Sequence, residues 1–194
     1  DMTLQVARIA ATRLVHAARP LRLSYADHVL QVRGSQLRPE RQFVQAGVEL
    51  IGSTAEGADV EIVVLAAEAL FEAGVAAPSI DLNSPAIVAH ILADLDMSSG
   101  DTAAIRAALD HKDAATVKQI TGRNGISGSP TARLLNAVIG LSGEADETLD
   151  GLRKLPLPDA AAAEVARLAV VVEGIRRAAP DLALTLDPVE YRGF

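Results

Sequence analysis

From Pro85 to Pro180 the chain is written in helical periods joined by short loops, and strand-like runs stand on both sides of that block. Helices are expected at 85–95, 101–110, 113–121, 130–141, 145–154 and 158–178. Asp101, Asp113 and Ser129 are the expected N-caps, because a short side-chain oxygen there can accept a first-turn N–H. A run of helices that follows a strand-rich half forms its own all-α layer, which makes the fold class α+β. The expected division is a strand-bearing part over 1–84, a helical block over 85–180, and 181–194 as a strand, "LALTLD", that returns to the first sheet. On that division the helical block is an insertion.

The strand-bearing part opens on an amphipathic helix from Met2 to Arg19. Leu4, Ala7, Ala11, Leu14, Val15 and Ala18 share one face, and Pro20 ends it. "LRLSY" and "HVLQVR" follow as short strands around a turn-like "AD", then a polar loop, "GSQLRPE". Next comes "RQFVQAGVELIG", Arg41 to Gly52, whose even positions Val44, Ala46, Val48 and Leu50 are all apolar. Gln45 and Glu49 take odd positions, with Phe43 and Gly47 among them. Strand side chains alternate with a period of two, so the even positions are expected in a core and the odd ones over something polar. The helix "GADVEIVVLAAEALFEAG" is apolar over most of its circumference and is expected to lie against a sheet; "APSIDLNSP" is the strand after it.

Composition removes several functions. A net charge of −7 argues against a surface built to grip phosphate backbones. The absence of cysteine excludes disulfides, thiolate metal sites and cysteine nucleophiles. His16, His28, His90 and His111 show no ligand spacing, so no metal is expected. No apolar run approaches the roughly 20 residues that cross a bilayer, and no membrane partner is expected. The glycine-rich "GRNGISGSP" lacks the lysine of a phosphate loop and follows no strand, so it is expected to be an inter-helix loop. The chain starts at Asp1 inside a helix pattern and stops on "YRGF" just after a strand pattern, so both ends are expected to be cuts in a longer sequence.

"RQFVQAGVELIG", "ADVEIVVLAAEAL" and "SIDLNSP", taken in order, resemble the histidyl-tRNA synthetase family, with "DMTLQVARIAATR" and "EYRGF" matching its segments at either end. The resemblance implies a class II aminoacyl-tRNA synthetase-like antiparallel sheet flanked by helices. It also implies a pocket in which acidic and amide side chains hold an amino acid's ammonium group. The positions that match are Asp1, Thr3, Gln45 and Glu49, with Arg192 as the arginine of the terminal motif. On this reading Gly47 leaves room for the ligand; the alternative is that Gln45 and Glu49 face solvent on a one-sided sheet.

The nucleotide side departs from the family. Aligned without gaps, Gln31 and Arg33 fall where a working synthetase has its phosphate-holding arginine and its adenine-contacting glutamate. A shift of one or two residues brings Arg33 onto the arginine, but "VRGSQLRPE" still lacks the family's "RxExP" pattern, so adenylation is not expected. "RPLRLSYADHVLQVRG", "IRAALDHKD" and "LTLDPVEYRGF" resemble more closely the regulatory subunits of ATP phosphoribosyltransferase, paralogues of the synthetase. That resemblance implies a cytoplasmic, non-catalytic subunit of histidine biosynthesis with no cofactor and no tRNA. It further implies a short-form catalytic subunit as partner, a homodimer within a hetero-oligomer, and histidine feedback. A fragment of a histidyl-tRNA synthetase is the alternative.

Overall fold

The structure, a computed structural model, describes residues 2–34, 39–93 and 95–190. Its contacts divide the chain into one unit over residues 1–62 and another over 63–194.

The first unit consists of helix α1 (Thr3–Thr12), strands β1 (Leu21–Leu30) and β2 (Gln42–Ile51), and the first turns of helix α2 (Glu56–Glu72). α1 is shorter than the sequence pattern, giving way to turns after Thr12. β1 is one continuous strand: the "AD" at 26–27 makes no turn, because both residues stay in the antiparallel ladder with β2. The register runs from Leu21 opposite Ile51 to Leu30 opposite Gln42. It continues one step further, where Gln31 N–H donates to Arg41 O at 2.8 Å.

The register decides which side of the hairpin is buried, and it corrects the expectation from β2 alone. Val44 is 62% exposed and Val48 40%, whereas Gln45, Gly47 and Glu49 are half-buried; Leu50 is half-buried rather than in a core. The reason lies in β1, whose apolar residues Leu21, Leu23, Tyr25 and Val29 occupy odd positions. The pairing sets odd opposite odd, so the apolar side of β1 coincides with the polar side of β2. Buried Leu21 and Val29 at the two ends of that side, with Phe43 and Ile51 opposite them, outweigh the polar centre. The even side pairs Val44, Ala46 and Val48 with exposed His28, Ala26 and Ser24.

α2 is apolar over most of its circumference, yet Ala67 is its one buried residue and Leu65, Leu70 and Phe71 are exposed. The expected burial of this helix against a sheet is therefore not seen.

The second unit holds β3 (Ser79–Leu82), helices α3 (Pro85–Leu92), α4 (Ser99–Asp110), α5 (Ala114–Arg123) and α6 (Pro130–Ile139), then β4 (Gly143–Glu144), α7 (Ala145–Arg153), α8 (Asp159–Ala178) and β5 (Ala183–Leu186). β5 lies between β3, which it pairs in parallel, and the short β4, which it pairs antiparallel. Asp81 and Thr185 face each other across that pairing, and the threonine hydroxyl donates to Asp81 Oδ1 at 2.8 Å. α8 packs on α3 and α7, and the core closes around Ile87, Ile105, Leu109, Leu135, Leu149, Leu152, Ile175 and Leu186, all fully buried. Where α3 begins, the buried Ser84 donates its hydroxyl to Glu164 of α8 at 2.7 Å.

Capping sets the helix starts. Asp113 accepts the Thr116 N–H at 3.0 Å and Ser129 accepts the Ala132 N–H at 3.1 Å, as the sequence predicts. For α4 the cap is Ser98: it accepts the N–H of Asp101, which sits three residues inside the helix rather than at its cap. The glycine-rich segment joins α5 to α6, with Gly125 and Gly128 at φ of 71° and 74°, values that cost glycine little.

Candidate amino-acid pocket

On the odd side of the hairpin the polar residues are gathered in the middle. From one end to the other the opposed pairs are Leu21 and Ile51, Leu23 and Glu49, Tyr25 and Gly47, Asp27 and Gln45, Val29 and Phe43. Apolar pairs rim the two ends, and the centre carries two carboxylates, an amide and a phenol. Opposed residues in such a ladder have side chains about 5 Å apart, and residues four apart along one strand are separated by roughly 13 Å. Gln45 and Glu49 therefore stand on the same side of β2 with Gly47 midway between them.

α1 meets this face at its N-terminus. The backbone N–H of Met2, the N-cap residue of α1, donates to Gln45 Oε1 at 3.0 Å. That bond fixes the amide's orientation, with its oxygen toward the start of α1 and a second lone pair still able to accept. Thr3, next in the chain and half-buried, begins α1 beside this contact. Glu49 makes no hydrogen bond or ion pair among the described residues, so its carboxylate is available to a cation. The structure thus brings Thr3, Gln45 and Glu49 to one side of the hairpin, and Asp1 and Arg192 lie outside the described residues.

Gly47 does not hold open space. A Cβ built there would lie 2.5 Å from Tyr25 Cζ, because the end of the phenol ring already fills the position. Tyr25 and Asp27 are the neighbours that sequence reading missed. Splitting β1 at "AD" hid the pairing, whereas a continuous strand places Tyr25 opposite Gly47 and Asp27 opposite Gln45. Asp27 Oδ1 accepts the N–H of His28 at 2.7 Å and is exposed.

The other features singled out in the sequence are structural. Lys112 of "ALDHKD" adopts φ 54°, and its ammonium reaches Asp187 at 2.7 Å and the Ser142 hydroxyl at 2.8 Å. It thereby ties the end of α4 to the residue after β5, while Asp113 caps α5. Arg176 of α8 donates to Leu182 O at 3.1 Å and pairs with Glu144 and Asp146, which fastens the start of α7. Gln31 and Arg33 are exposed past the end of β1. Among the described residues no helix is long and apolar enough to cross a membrane, and no three His, Asp or Glu side chains come together as a metal site would need.

Comparison with known proteins gives a consistent picture. The chain is 54% identical over all of its 194 residues to an ATP phosphoribosyltransferase regulatory subunit from Paramagnetospirillum magneticum, covering 49% of that protein. It is 48% identical over the same span to one from Rhodospirillum centenum, covering 48% of it. The chain therefore spans about half the length of the curated relatives it matches. The crystal structure of an ATP phosphoribosyltransferase regulatory subunit/histidyl-tRNA synthetase from Bacillus halodurans superposes with a TM-score of 0.83 at 25% identity, over 97% of this chain and 48% of that one. The α+β class, with its synthetase-like antiparallel pair and flanking helices, is thus that of its structural neighbour. A family profile described as Histidyl-tRNA synthetase matches residues 1–194 throughout, so the chain belongs to the histidyl-tRNA synthetase family.

Proposed function

We propose that this chain is part of a regulatory subunit of ATP phosphoribosyltransferase, a cytoplasmic protein of histidine biosynthesis that senses an amino acid and does not charge tRNA. The observation that carries this reading is identity of 54% along the whole chain to a protein of that name. The sequence adds a physical reason. Gln31 and Arg33 stand where the family's nucleotide-holding arginine and glutamate would be, and an amide in place of a guanidinium loses the charge that steadies a transferring phosphoryl group. Thr3, Gln45 and Glu49, by contrast, retain chemistry suited to an ammonium group and share one side of the β1–β2 pair. The family resemblance adds Asp1 and Arg192 to the proposed set.

A body that keeps an amino-acid pocket and lacks a grip on ATP can shift a partner's activity without making an adenylate. For that shift to occur, the ligand must bind one assembly state better than another. The partner is proposed to be a short-form catalytic subunit, met by a homodimer of the regulatory protein within a hetero-oligomer. In the test, the full-length protein is added to a short-form phosphoribosyltransferase and phosphoribosyl-ATP formation is followed with and without histidine. Histidine-dependent pyrophosphate–ATP exchange is measured in parallel. Activation of the partner that histidine reverses, with no exchange, is the expected result. Robust exchange without any effect on the partner would make the protein a synthetase instead.

A further inference from the structure

We propose that Tyr25 is a specificity-determining residue of the pocket, its hydroxyl hydrogen-bonding the polar side chain of an amino acid held between Gln45 and Glu49. The inference rests on the pocket reading above and assigns a role to a residue outside the Asp1, Thr3, Gln45, Glu49 and Arg192 set. Tyr25 stands opposite Gly47, and its phenol oxygen and Cζ are the atoms nearest to where a Cβ at 47 would be. Gly47 lies midway between Gln45 and Glu49 on the same side of β2, which places the hydroxyl between those two residues. A ligand engaged by both has to pass over it.

The chemistry of the neighbours leaves the phenol a distinct part. Glu49 as a carboxylate only accepts, and Gln45 Oε1, which already accepts the Met2 N–H, likewise offers only an acceptor. Tyr25 is half-buried and its hydroxyl has no hydrogen-bond partner among the described residues. A phenol both donates and accepts, so it suits a side chain with a ring nitrogen and gives an apolar ring of the same size nothing. Glycine at 47 is what lets the hydroxyl stand there, since any side chain would push the phenol aside.

The test is calorimetric titration of the full-length protein with L-histidine and with β-(2-thienyl)-L-alanine, an aromatic amino acid without ring N–H. Tyr25→Phe is expected to weaken histidine binding about tenfold, the effect of one well-placed hydrogen bond, and to leave thienylalanine binding and the melting temperature unchanged. Gly47→Ala displaces the phenol and is expected to lose a similar factor. The double variant should lose no more than either single one, because both act through the same hydroxyl. Tyr25→Phe binding histidine as the wild type does, or weakening both ligands equally, would overturn the proposal. Glu49→Gln separates this failure from that of the pocket: histidine binding that is absent in the wild type, or indifferent to Glu49→Gln, sinks the pocket reading itself and the role of Tyr25 with it.

Discussion

The two units bury their apolar residues very differently. In residues 63–194 every helix from α3 to α8 turns an apolar stripe toward a partner within the unit, and side chains such as Ile105, Leu135 and Ile175 are completely enclosed. Among the described residues of 1–62 the buried apolar side chains are Val6, Ala10, Leu21 and Val29, and the hairpin leaves Val44, Ala46 and Val48 open. Stability is therefore concentrated in the helical unit, while the proposed pocket sits on the unit with little core of its own. The hairpin also shows a limit of periodicity: alternation says that the two faces of a strand differ, but which face is inside depends on the partner strand and its register.

The comparison is broken or upheld most sharply by truncating one residue in each unit. Leu135→Ala removes a fully enclosed side chain and leaves a cavity, for which a loss of about 3–5 kcal/mol is expected in urea denaturation. Val44→Ala, at a position 62% exposed, is expected to change stability by less than about 0.5 kcal/mol in this 194-residue chain. A loss at Val44 approaching that at Leu135 would mean that the even side of the hairpin is a covered surface, and the contrast between the units would fail.

The same contrast explains what was legible in the sequence. In the helical unit the starts of α5, α6 and α7 fall within a residue of expectation, because caps such as Asp113 and Ser129 and the stripes they precede are local signals. The cap of α4 was misplaced by three residues, since Ser98 and Asp101 both qualify by type and the choice is made by which N–H lies free. The two-residue β4 had no signal at all, as it exists through its pairing with β5. In the first unit β2 was found and its burial reversed, because β1 was read as two pieces and its odd-position apolar residues were never set against those of β2. Gln45 and Glu49 enter the proposed site through family resemblance, and their common side follows from alternation. Tyr25 and Asp27 were not, because only the register reveals them.

A smaller effect is expected at the joint that closes the helical unit. Lys112 combines a left-handed backbone with an ion pair to Asp187, whose side chain is 14% exposed. Lys112→Ala loses the ion pair and keeps the strain, for an expected cost of about 1 kcal/mol once screening of the partly exposed ammonium is allowed for. Lys112→Gly loses the same pair but relaxes the backbone, so it should be the more stable of the two in denaturant titration. If alanine were the better replacement, the φ of 54° would carry no strain and the ion pair alone would hold the joint.

The smallest effects are those of surface carboxylates, and they sharpen the comparison because both units contain them. In the first unit the guanidinium of Arg22 donates to Glu61 Oε2 at 2.7 Å, and this hydrogen-bonded pairing holds the carboxyl of Glu61 below its ordinary range. In the second, the Asn124 amide and then Arg123 do the same for Asp101, and the Thr116 hydroxyl and N–H do so for Asp113. A carboxylate depressed in the folded state contributes stability that is complete above its unfolded value and disappears as pH falls through the folded one. Stability should therefore drop on acidification, beginning near the ordinary carboxylate range and continuing below it. An NMR titration should find Glu61, Asp101 and Asp113 turning over below that range. Because Arg22 and Glu61 are well exposed, added salt should move Glu61 back toward its ordinary value. Asp113 should respond less to salt, since its leading partner is a neutral hydroxyl at 2.6 Å rather than a charge. Equal salt responses at the two sites would show that charge, and not the neutral hydrogen bond at the cap, holds Asp113 below its ordinary range.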